Sequence, residues 1–337
     1  MDFILAKGAK LTVLLLSRAD VEKLISIGET IEAVEEAFRA KGLGKVQMPP
    51  KSYVFFNRYD GDFRVMPAYL ENTEAAGVKI VNVHPQNPSK HSMPTVMATI
   101  LLIDPRTGAP IAIMDGTKIT NVRTGAAGAV AAKYLAREES RVVAIIGAGA
   151  QAITQFLALN EIFKIEELRV SDKVEANAKK YTSEMKKQFD INIKITDAKE
   201  AVQGADIIAT TTPVKSPIVM NDWVSEGVHI NAIGADAPGK QELDPKILKR
   251  AKIVIDNWEQ ASHSGEINVP LSKGILARED IHAELGEIVS GKKSGRTSRD
   301  EITVFDSTGL AIQDVATAWL VYKKAKEIGI GTEVELL

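Results

Sequence analysis

The chain has 337 residues, more than the roughly 100–200 of one typical domain, so two domains are expected. Its 42 basic and 44 acidic residues give a formal charge of −2, which provides no bulk attraction to nucleic acid or anionic lipid. Cysteine is absent, which excludes disulfides and thiolate chemistry, and no run of about 18 apolar residues offers a membrane span. We therefore expect a soluble, cytoplasmic protein that binds neither nucleic acid nor membrane.

The first part of the chain is predicted to contain a strand, a helical stretch and a sheet. After an extension of about ten residues, residues 13–16 are typical of a strand, Ser17 is a candidate N-cap, and Gly42 is expected to end the helical stretch. Runs of β-branched and aromatic residues between Gly, Pro and Asn turns then predict an antiparallel sheet. Its predicted strands are residues 52–57, 62–67, 77–84, 95–103 and 109–114.

The second part begins with a helix rich in small residues, at about residues 117–137, whose Ala and Gly side chains predict close packing against neighbouring backbone. Strands then alternate with helices, which predicts a parallel sheet covered on both faces. The predicted strands are residues 142–146, 167–171, 193–196, 206–211, 229–233, 253–255 and 302–306. A last helix, at about residues 311–328, lies outside this alternation and is expected to return to the first domain.

A glycine turn predicts a dinucleotide site. Gly147-Ala-Gly149-Ala-Gln-Ala152 has the G-x-G-x-x-A form, directly after a five-residue apolar strand and before an apolar helical run. The first glycine permits the tight turn, the second lets the backbone approach a pyrophosphate, and the small third residue lets the helix pack on the sheet. Asp172, after the next strand, would bind ribose hydroxyls and repel a 2′-phosphate, which favours NAD; Lys173 weakens the preference over NADP. The alternative is an α/β glycine turn that binds another ligand.

Three polar residues are candidates for substrate chemistry. Lys79 lies in an otherwise apolar strand, where it can hold a carboxylate or polarise an imine; a lysine reaching solvent from an edge strand is the alternative. Asp236 follows a parallel strand at the edge where ligands of open α/β sheets bind, although an ordinary turn aspartate gives the same pattern. Arg123 can clamp a carboxylate, with a surface arginine as the alternative. The 5 histidines show no metal spacing, so no metal site is expected.

Six segments in order resemble the ornithine cyclodeaminase/mu-crystallin family across nearly the whole chain. They are residues 66–68, 77–85, 121–127, 146–151, 234–240 and 305–309. With the strand–helix alternation, the resemblance implies an α/β fold: a Rossmann-type doubly wound parallel sheet plus a second α+β domain for substrate binding and dimerisation. The implied domains are residues 1–122, joined by the C-terminal helix 310–337, and residues 123–309 for the dinucleotide. The resemblance also implies a homodimer.

The family resemblance implies roles for individual residues. Lys79 and Arg123 would contact the substrate, Lys79 and Asp236 would be catalytic, and Asp236 would be the acid/base residue. The implied cofactor-binding residues are Thr95, Arg123, Gly147, Gly149, Ala150, Gln151, Asp172, Thr211, Ile233, Gly234, Ala235, Lys240 and Ser307.

Two further positions distinguish members of that family. Ornithine cyclodeaminases carry an acid before Met-Pro that pairs with the distal ammonium of the substrate, whereas Arg64 precedes Met66-Pro67 here. A guanidinium would repel that ammonium, which disfavours ornithine. Arginine is the arrangement of the archaeal alanine dehydrogenases of the family. Lys51 stands where many members have arginine, so it keeps the charge but lacks the bidentate fork for a substrate carboxylate.

The resemblance therefore implies an NAD-dependent oxidoreductase that acts on the C–N bond of a small amino acid, first of all L-alanine dehydrogenase. Arg64 and Arg123 would fix the substrate carboxylate. The alternatives are a reductase of cyclic ketimines such as pyrroline-2-carboxylate, an ornithine cyclodeaminase, and a non-catalytic, cofactor-bound protein like mu-crystallin. The exact amino acid or imine depends on loops that the sequence alone does not place.

Overall fold

A computed structural model describes residues 11–336, so the predicted extension, residues 1–10, lies outside the described residues. The chain divides into two compact units. Unit 1 contains the chain up to Ser26, Lys45–Thr120 and the chain from Asp314 onwards. Unit 2 contains Ile27–Gly44 and Asn121–Gln313.

Strands and helices occupy most of the described chain. The strands are β1 (Thr12–Leu16), β2 (Val46–Gln47), β3 (Ser52–Phe56), β4 (Gly61–Leu70), β5 (Ala75–Val83), β6 (Val96–Ile103), β7 (Pro110–Asp115), β8 (Val142–Ile146), β9 (Glu167–Ser171), β10 (Asn192–Ile195), β11 (Ile207–Thr210), β12 (His229–Ala232), β13 (Lys252–Ile255), β14 (Ile281–Glu284), β15 (Thr303–Asp306) and β16 (Thr332–Glu335). The helices are α1 (Arg18–Leu24), α2 (Ile27–Gly42), α3 (Asn87–His91), α4 (Gly116–Leu135), α5 (Ala150–Ile162), α6 (Glu175–Lys186), α7 (Ala198–Val202), α8 (Pro245–Arg250), α9 (Trp258–Ser264), α10 (Asn268–Ser272), α11 (Leu285–Val289) and α12 (Ala311–Ile328). None of the helices between residues 11 and 336 has the length and apolar character needed to cross a membrane.

Unit 1 is built on an eight-stranded sheet with the order β16-β1-β7-β6-β5-β4-β2, and β3 pairs with β4. β4 to β7 form the predicted antiparallel sheet, with each strand next to the one that follows it in the chain, and β1 joins β7 in parallel. Met66 pairs with Lys79 and Arg64 with Val81, so Arg64 and Lys79 lie diagonally on the same face of this sheet. β2 and β16 were not predicted, because β2 has two residues and β16 is exposed at every position.

The first helical stretch consists of two helices that belong to different units. Ser17 caps α1 as predicted, in a capping box with Asp20. The structure assigns Ile27–Gly44 to unit 2, whereas the sequence placed this segment in the domain of residues 1–122. The reason is packing: α2 lies against α5 and α11, and a Cβ on Gly42 would come within 1.9 Å of the Gly286 carbonyl oxygen.

Unit 2 is built on a wholly parallel sheet with the order β10-β9-β8-β11-β12-β15-β13-β14. Alternate residues of β8 enter two different hydrophobic cores: Val143 and Ile145 one, Ala144 and Ile146 the other. This confirms the doubly wound class, in which both faces of the sheet are covered. The strand order reverses between β8 and β11, and such a switch point opens a crevice at the carboxyl ends of the strands. β14 was not predicted, since its sequence Ile-His-Ala-Glu is short and half polar.

Helix α4 confirms the predicted close packing of small residues. A Cβ on Gly125 would lie 2.2 Å from the Thr154 carbonyl oxygen, and one on Gly128 would lie 2.2 Å from Gln155 Oε1. Only a residue without a Cβ allows α4 to approach α5 this closely.

Candidate functional site

The glycine turn lies at the carboxyl end of β8, at the switch point of the parallel sheet. Gly147 has φ of +97°, a conformation that favours glycine, and a Cβ there would also lie 2.6 Å from Thr212 Cγ2. Gly149 is the N-cap of α5, and a Cβ there would meet nothing within 4 Å. The first turn of α5, with Ala150 and Gln151, therefore opens towards free space. This arrangement fits the approach of a pyrophosphate to backbone amides.

Asp172 ties this turn to the end of β9. Its carboxylate accepts hydrogen bonds from the backbone amides of Ala148 (2.7 Å) and Val174 (2.7 Å), one on each oxygen. A carboxylate has about four acceptor positions, so each oxygen keeps capacity for a ribose hydroxyl. Asp172 thus both braces the glycine turn and remains able to bind a ligand.

The buried hydroxyl of Ser307 bears on whether the crevice fits a dinucleotide. The residue follows β15 at the same sheet edge and is only 3% exposed. Within residues 11–336, its Oγ has no hydrogen-bond partner although the atom is buried. A buried hydroxyl without a partner is costly, so a ligand atom is its natural complement. Together with the open Gly149 backbone, this observation shows that the residues present fit the implied cofactor.

The ends of β11 and β12 form the neighbouring part of this edge. Thr211 donates a hydrogen bond from Oγ1 to the Gly147 carbonyl oxygen at 2.7 Å, so it contacts the glycine turn directly. Ile233 and Ala235 are buried beside Gly234. A Cβ on Gly234 would lie 2.1 Å from the Thr212 carbonyl oxygen, which explains why glycine is required there.

Two buried glutamates that the sequence analysis did not single out support these strand ends. Glu242 accepts four hydrogen bonds from the ends of β11 and β12, and Glu266 accepts from the amides of Glu242 and Leu243. Burial raises the pKa of Glu242, and burial together with the nearby Glu242 carboxylate raises the pKa of Glu266 well above its ordinary value.

Asp236 lies in the loop after β12 and pairs with Lys240, whose Nζ is 2.5 Å from Asp236 Oδ1. The Asp236 side chain is 37% exposed, so this loop presents its carboxylate at the surface of the crevice. The sequence placed Asp236 and Lys240 in separate roles, and the structure brings them into one ion pair.

Arg123 is buried in unit 2 and is not a surface arginine. Its Nη1 donates to Gln313 Oε1 at 2.8 Å, and a Cβ on Gly309 would lie 2.6 Å from the same nitrogen. Gly309 has φ of +77°, and its amide is held by Asp256 Oδ2 at 2.8 Å. The loop that follows β15 therefore packs tightly around the Arg123 guanidinium.

Lys79 is fully buried in unit 1, which excludes the alternative of a lysine reaching solvent. Its Nζ lies 2.6 Å from Asp314 Oδ2 on α12, and the two side chains are 1% and 0% exposed. On the sheet, Met66 and Ile100 flank Lys79 on the neighbouring strands. A buried ammonium needs such a compensating carboxylate. Asp314 was not among the predicted site residues.

Arg64 lies on the same sheet face and is also buried. Its guanidinium pairs with Asp62 (Nε to Oδ1, 3.0 Å) and lies 5.3 Å from the centre of the Tyr53 ring. The Arg64–Asp62 pair is neutral overall, which weakens the purely electrostatic argument against a distal ammonium. Lys51, just before β3, and Thr95, just before β6, are both half-buried in unit 1.

A family model for the ornithine cyclodeaminase/mu-crystallin family matches residues 12–329. The chain belongs to this family. The alanine dehydrogenase of Archaeoglobus fulgidus is 53% identical over 322 residues, which cover 96% of this chain and 98% of that protein.

Two solved structures superpose on almost the whole chain. An archaeal alanine dehydrogenase dimer with bound NAD has a TM-score of 0.93 and 52% identity, with 97% of this chain and 100% of that chain covered. The Δ1-pyrroline-2-carboxylate reductase of Thermococcus litoralis, in complex with NADH and L-proline, has a TM-score of 0.93 and 46% identity, with 96% and 100% covered.

The predicted site residues fall into two groups. Unit 1 contains Lys51, Arg64, Lys79 and Thr95, and unit 2 contains the remaining predicted residues. Sequence reasoning missed Asp314 and Glu242. Asp314 did carry a signal, because it is an acid among mostly apolar residues of α12, and a buried acid of this kind needs a partner.

Proposed function

We propose that the protein is an NAD(H)-dependent oxidoreductase acting on the C–N bond of a small amino acid, and specifically an L-alanine dehydrogenase. The observation that carries the proposal is the buried pair of cations, Arg64 and Lys79, on one face of the unit 1 sheet. This face offers two cationic hydrogen-bond donors for a carboxylate, and the acids beside them, Asp62 and Asp314, are already paired with Arg64 and Lys79. Similarity to alanine dehydrogenases along the whole chain supports the same substrate.

We assign five side chains to substrate binding and proton transfer. Arg64 and Arg123 hold the substrate carboxylate, because a guanidinium binds both of its oxygens. Lys79 contacts the substrate and polarises the imine, with Asp314 holding its ammonium in place. Lys51 adds positive charge without a bidentate fork. Asp236 moves protons to and from the amine and water, since its carboxylate lies on a loop at the edge where ligands of such sheets bind.

We assign NAD(H) to the carboxyl edge of the unit 2 sheet. When bound, NAD(H) supplies the hydride chemistry that the protein's own side chains lack. The amides near Gly149 face the pyrophosphate, Asp172 binds the ribose hydroxyls, and Ser307 gains the partner that its hydroxyl lacks. The other proposed cofactor residues are Thr95, Arg123, Gly147, Ala150, Gln151, Thr211, Ile233, Gly234, Ala235 and Lys240.

The second candidate is a reductase of cyclic ketimines such as Δ1-pyrroline-2-carboxylate. The similarity to the Thermococcus litoralis reductase favours it, since that enzyme is 46% identical along the whole chain. A cyclic imine carboxylate needs the same carboxylate anchors and the same proton transfer. Its ring needs more space than the alanine methyl group. Comparing turnover of the cyclic imine with turnover of pyruvate plus ammonium distinguishes the two candidate functions.

We also propose a homodimer in which unit 1 is the dimerisation domain. The sheet face opposite Lys79 carries the apolar side chains of Phe63, Val65, Val78 and Ile80, and Ile80 is 47% exposed. A partly exposed apolar face of this kind favours association. Light scattering should give twice the chain mass of 36.5 kDa. A cytoplasmic location stays a prediction, tested by cell fractionation.

The decisive experiment is steady-state oxidation of NADH with pyruvate plus ammonium. Parallel assays offer Δ1-pyrroline-2-carboxylate in place of pyruvate and ammonium, NADPH in place of NADH, or ornithine as the substrate. We expect saturable turnover that requires both pyruvate and ammonium. Asp236→Asn should lower kcat by about 10²–10⁴-fold while NADH binding persists. Asp222→Asn, at an exposed aspartate of unit 2, serves as the control with normal turnover. No turnover with any 2-oxo acid plus ammonium contradicts the proposal, and faster reduction of the cyclic imine favours the second candidate.

A further inference from the structure

Glu242 joins the ends of two strands at the proposed cofactor edge. Its Oε1 accepts hydrogen bonds from the Thr212 amide (2.6 Å) and the Thr212 hydroxyl (2.6 Å). Its Oε2 accepts from the Thr210 hydroxyl (2.7 Å) and the Gly234 amide (2.9 Å). The side chain is fully buried. One carboxylate therefore connects the chain after β11 with the chain after β12.

The residues that Glu242 holds surround the proposed cofactor contacts. Thr211 lies between its two threonine partners and donates to the Gly147 carbonyl oxygen. Gly234 is both a direct partner of Glu242 and a proposed cofactor residue. Thr212 and Gly234 lie beyond the last residues of β11 and β12, so Glu242 replaces sheet pairing for their amides.

We propose that Glu242 is a positioning residue for NAD(H): without touching the cofactor, it sets the backbone of both strand ends that line the cofactor crevice. This inference rests on the proposed function, because it concerns the same crevice. Thr212 transmits the constraint to the glycine turn, since its methyl group packs against Gly147. A displaced Thr212 would move the turn that faces the pyrophosphate.

Glutamine at position 242 tests this role with almost no change in shape. Each carboxylate oxygen accepts one backbone amide, from Thr212 on one side and Gly234 on the other. In either orientation, the amide NH₂ of glutamine would face a backbone N–H, and rotation of the threonine hydroxyls cannot relieve this conflict. Glu242→Gln should therefore displace one strand end even though the protein remains folded.

A matched control lies at the opposite edge of the same sheet. Asp206 precedes β11, and its Oδ2 accepts from the amides of Arg141 (2.8 Å) and Val142 (2.9 Å). Its Oδ1 accepts from Arg137 at 2.5 Å. In Asp206→Asn, the one amide oxygen can still accept both backbone amides, but the NH₂ group then faces the Arg137 guanidinium. The control therefore loses an ion pair at the amino ends of the strands, away from the proposed cofactor crevice.

The experiment measures NADH binding to the full-length protein by fluorescence titration, with thermal unfolding of each variant. We expect both variants to lose some stability, but only Glu242→Gln to raise the Kd for NADH, by about tenfold or more. Equal Tm losses with an unchanged Kd in Glu242→Gln would overturn the inference alone. Failure of the wild type to bind NADH would instead overturn the proposed function and, with it, this inference.

A milder variant covers the case in which Glu242→Gln does not fold. Thr212→Val removes only the hydroxyl hydrogen bond to Glu242 and keeps the backbone bond and the side-chain shape. We expect its Kd for NADH to rise about threefold, with a Tm near that of the wild type. A Kd equal to that of the wild type in Thr212→Val overturns the positioning role.

Discussion

Unit 1 and unit 2 compensate buried charge in different ways. In unit 1, the buried cations Lys79 and Arg64 each pair with a carboxylate, from Asp314 and Asp62 respectively. In unit 2, the buried carboxylates of Glu242 and Glu266 receive hydrogen bonds from hydroxyl and amide groups. The first arrangement keeps full charges for a charged substrate. The second fixes backbone geometry.

This difference determines what each substitution should cost. Removing one member of a buried ion pair leaves an uncompensated charge, which destabilises a protein by about 3–5 kcal/mol. Removing a hydrogen-bond acceptor leaves a neutral donor unsatisfied, at about 1–3 kcal/mol. Substitutions in unit 1 should therefore change stability and activity through the loss of a charge. Substitutions in unit 2 should change them through backbone geometry and protonation.

The largest effect is expected for Lys79→Met. Loss of the ammonium should lower kcat by about 10²–10⁴-fold, because the substrate loses its polarising contact. It should also destabilise the fold by about 3–5 kcal/mol, because Asp314 loses the ammonium that compensates its buried charge. Steady-state kinetics and denaturant unfolding measure the two effects separately.

The double variant Lys79→Met with Asp314→Asn separates charge compensation from catalysis. Removing both charges should restore most of the stability, since no uncompensated ion remains, but none of the turnover. If Lys79→Met keeps a tenth or more of the wild-type kcat, Lys79 does not contact the reacting substrate. If the double variant is as unstable as Lys79→Met alone, the ion pair is not the source of the destabilisation.

An intermediate effect is expected from pH, through Asp306 in unit 2. Burial, reinforced by the nearby Asp256 carboxylate, raises the pKa of Asp306 to about 8. Unfolded aspartate titrates near 3.9, so between about pH 4 and 8 the folded state binds a proton that the unfolded state has released. Stability from this group is therefore complete below about pH 4 and is lost as the pH rises to about 8. Between pH 6 and 8, the loss should be about 2–3 kcal/mol.

Asp306→Asn provides the control for this pH dependence. Asparagine keeps an oxygen for the Ile267 amide, which Asp306 Oδ2 now accepts at 3.1 Å, but it cannot titrate. Denaturant unfolding at pH 6 and pH 8 should show a smaller loss of stability in Asp306→Asn than in the wild type. Parallel pH dependence in the two proteins would show that Asp306 is already ionised at neutral pH.

The smallest effect is expected for Ser307→Ala. Its hydroxyl is buried without a partner in the part of the chain that the structure describes, so its removal should leave the Tm unchanged or slightly higher. If the hydroxyl binds NADH, the Kd should rise about fivefold, the value of one neutral hydrogen bond. Fluorescence titration and thermal unfolding measure the two quantities.

Ser140→Ala is the matched control for Ser307→Ala. Ser140 is equally buried, but its hydroxyl already donates to the Arg137 carbonyl oxygen at 2.7 Å. This variant should lose stability and keep its affinity for NADH, the reverse of Ser307→Ala. An unchanged Kd in Ser307→Ala would remove Ser307 from the cofactor contacts.

The parallel sheet of unit 2 was predictable because its signals are local. Strands such as β8 are short apolar runs, and the glycines at 147 and 149 follow β8 directly in the chain. Burial of each strand sets its apolar pattern, so a window of about 10–20 residues contains the signal. The packing partners of α2 were not predictable in this way, since its apolar face fits any partner of suitable shape. In the structure these partners are α5 and α11.

The same distinction between local and distant signals applies to the partners of the buried charged side chains. The sequence by itself determined the α/β class, the dinucleotide turn and the strand that contains Lys79, because periodicity and glycine spacing act over neighbouring residues. Only the tertiary structure decided that Asp314 faces Lys79 and that Glu242 joins Thr212 to Gly234. A buried charge takes whatever complement the fold brings within about 3 Å, and that partner can lie anywhere along the chain.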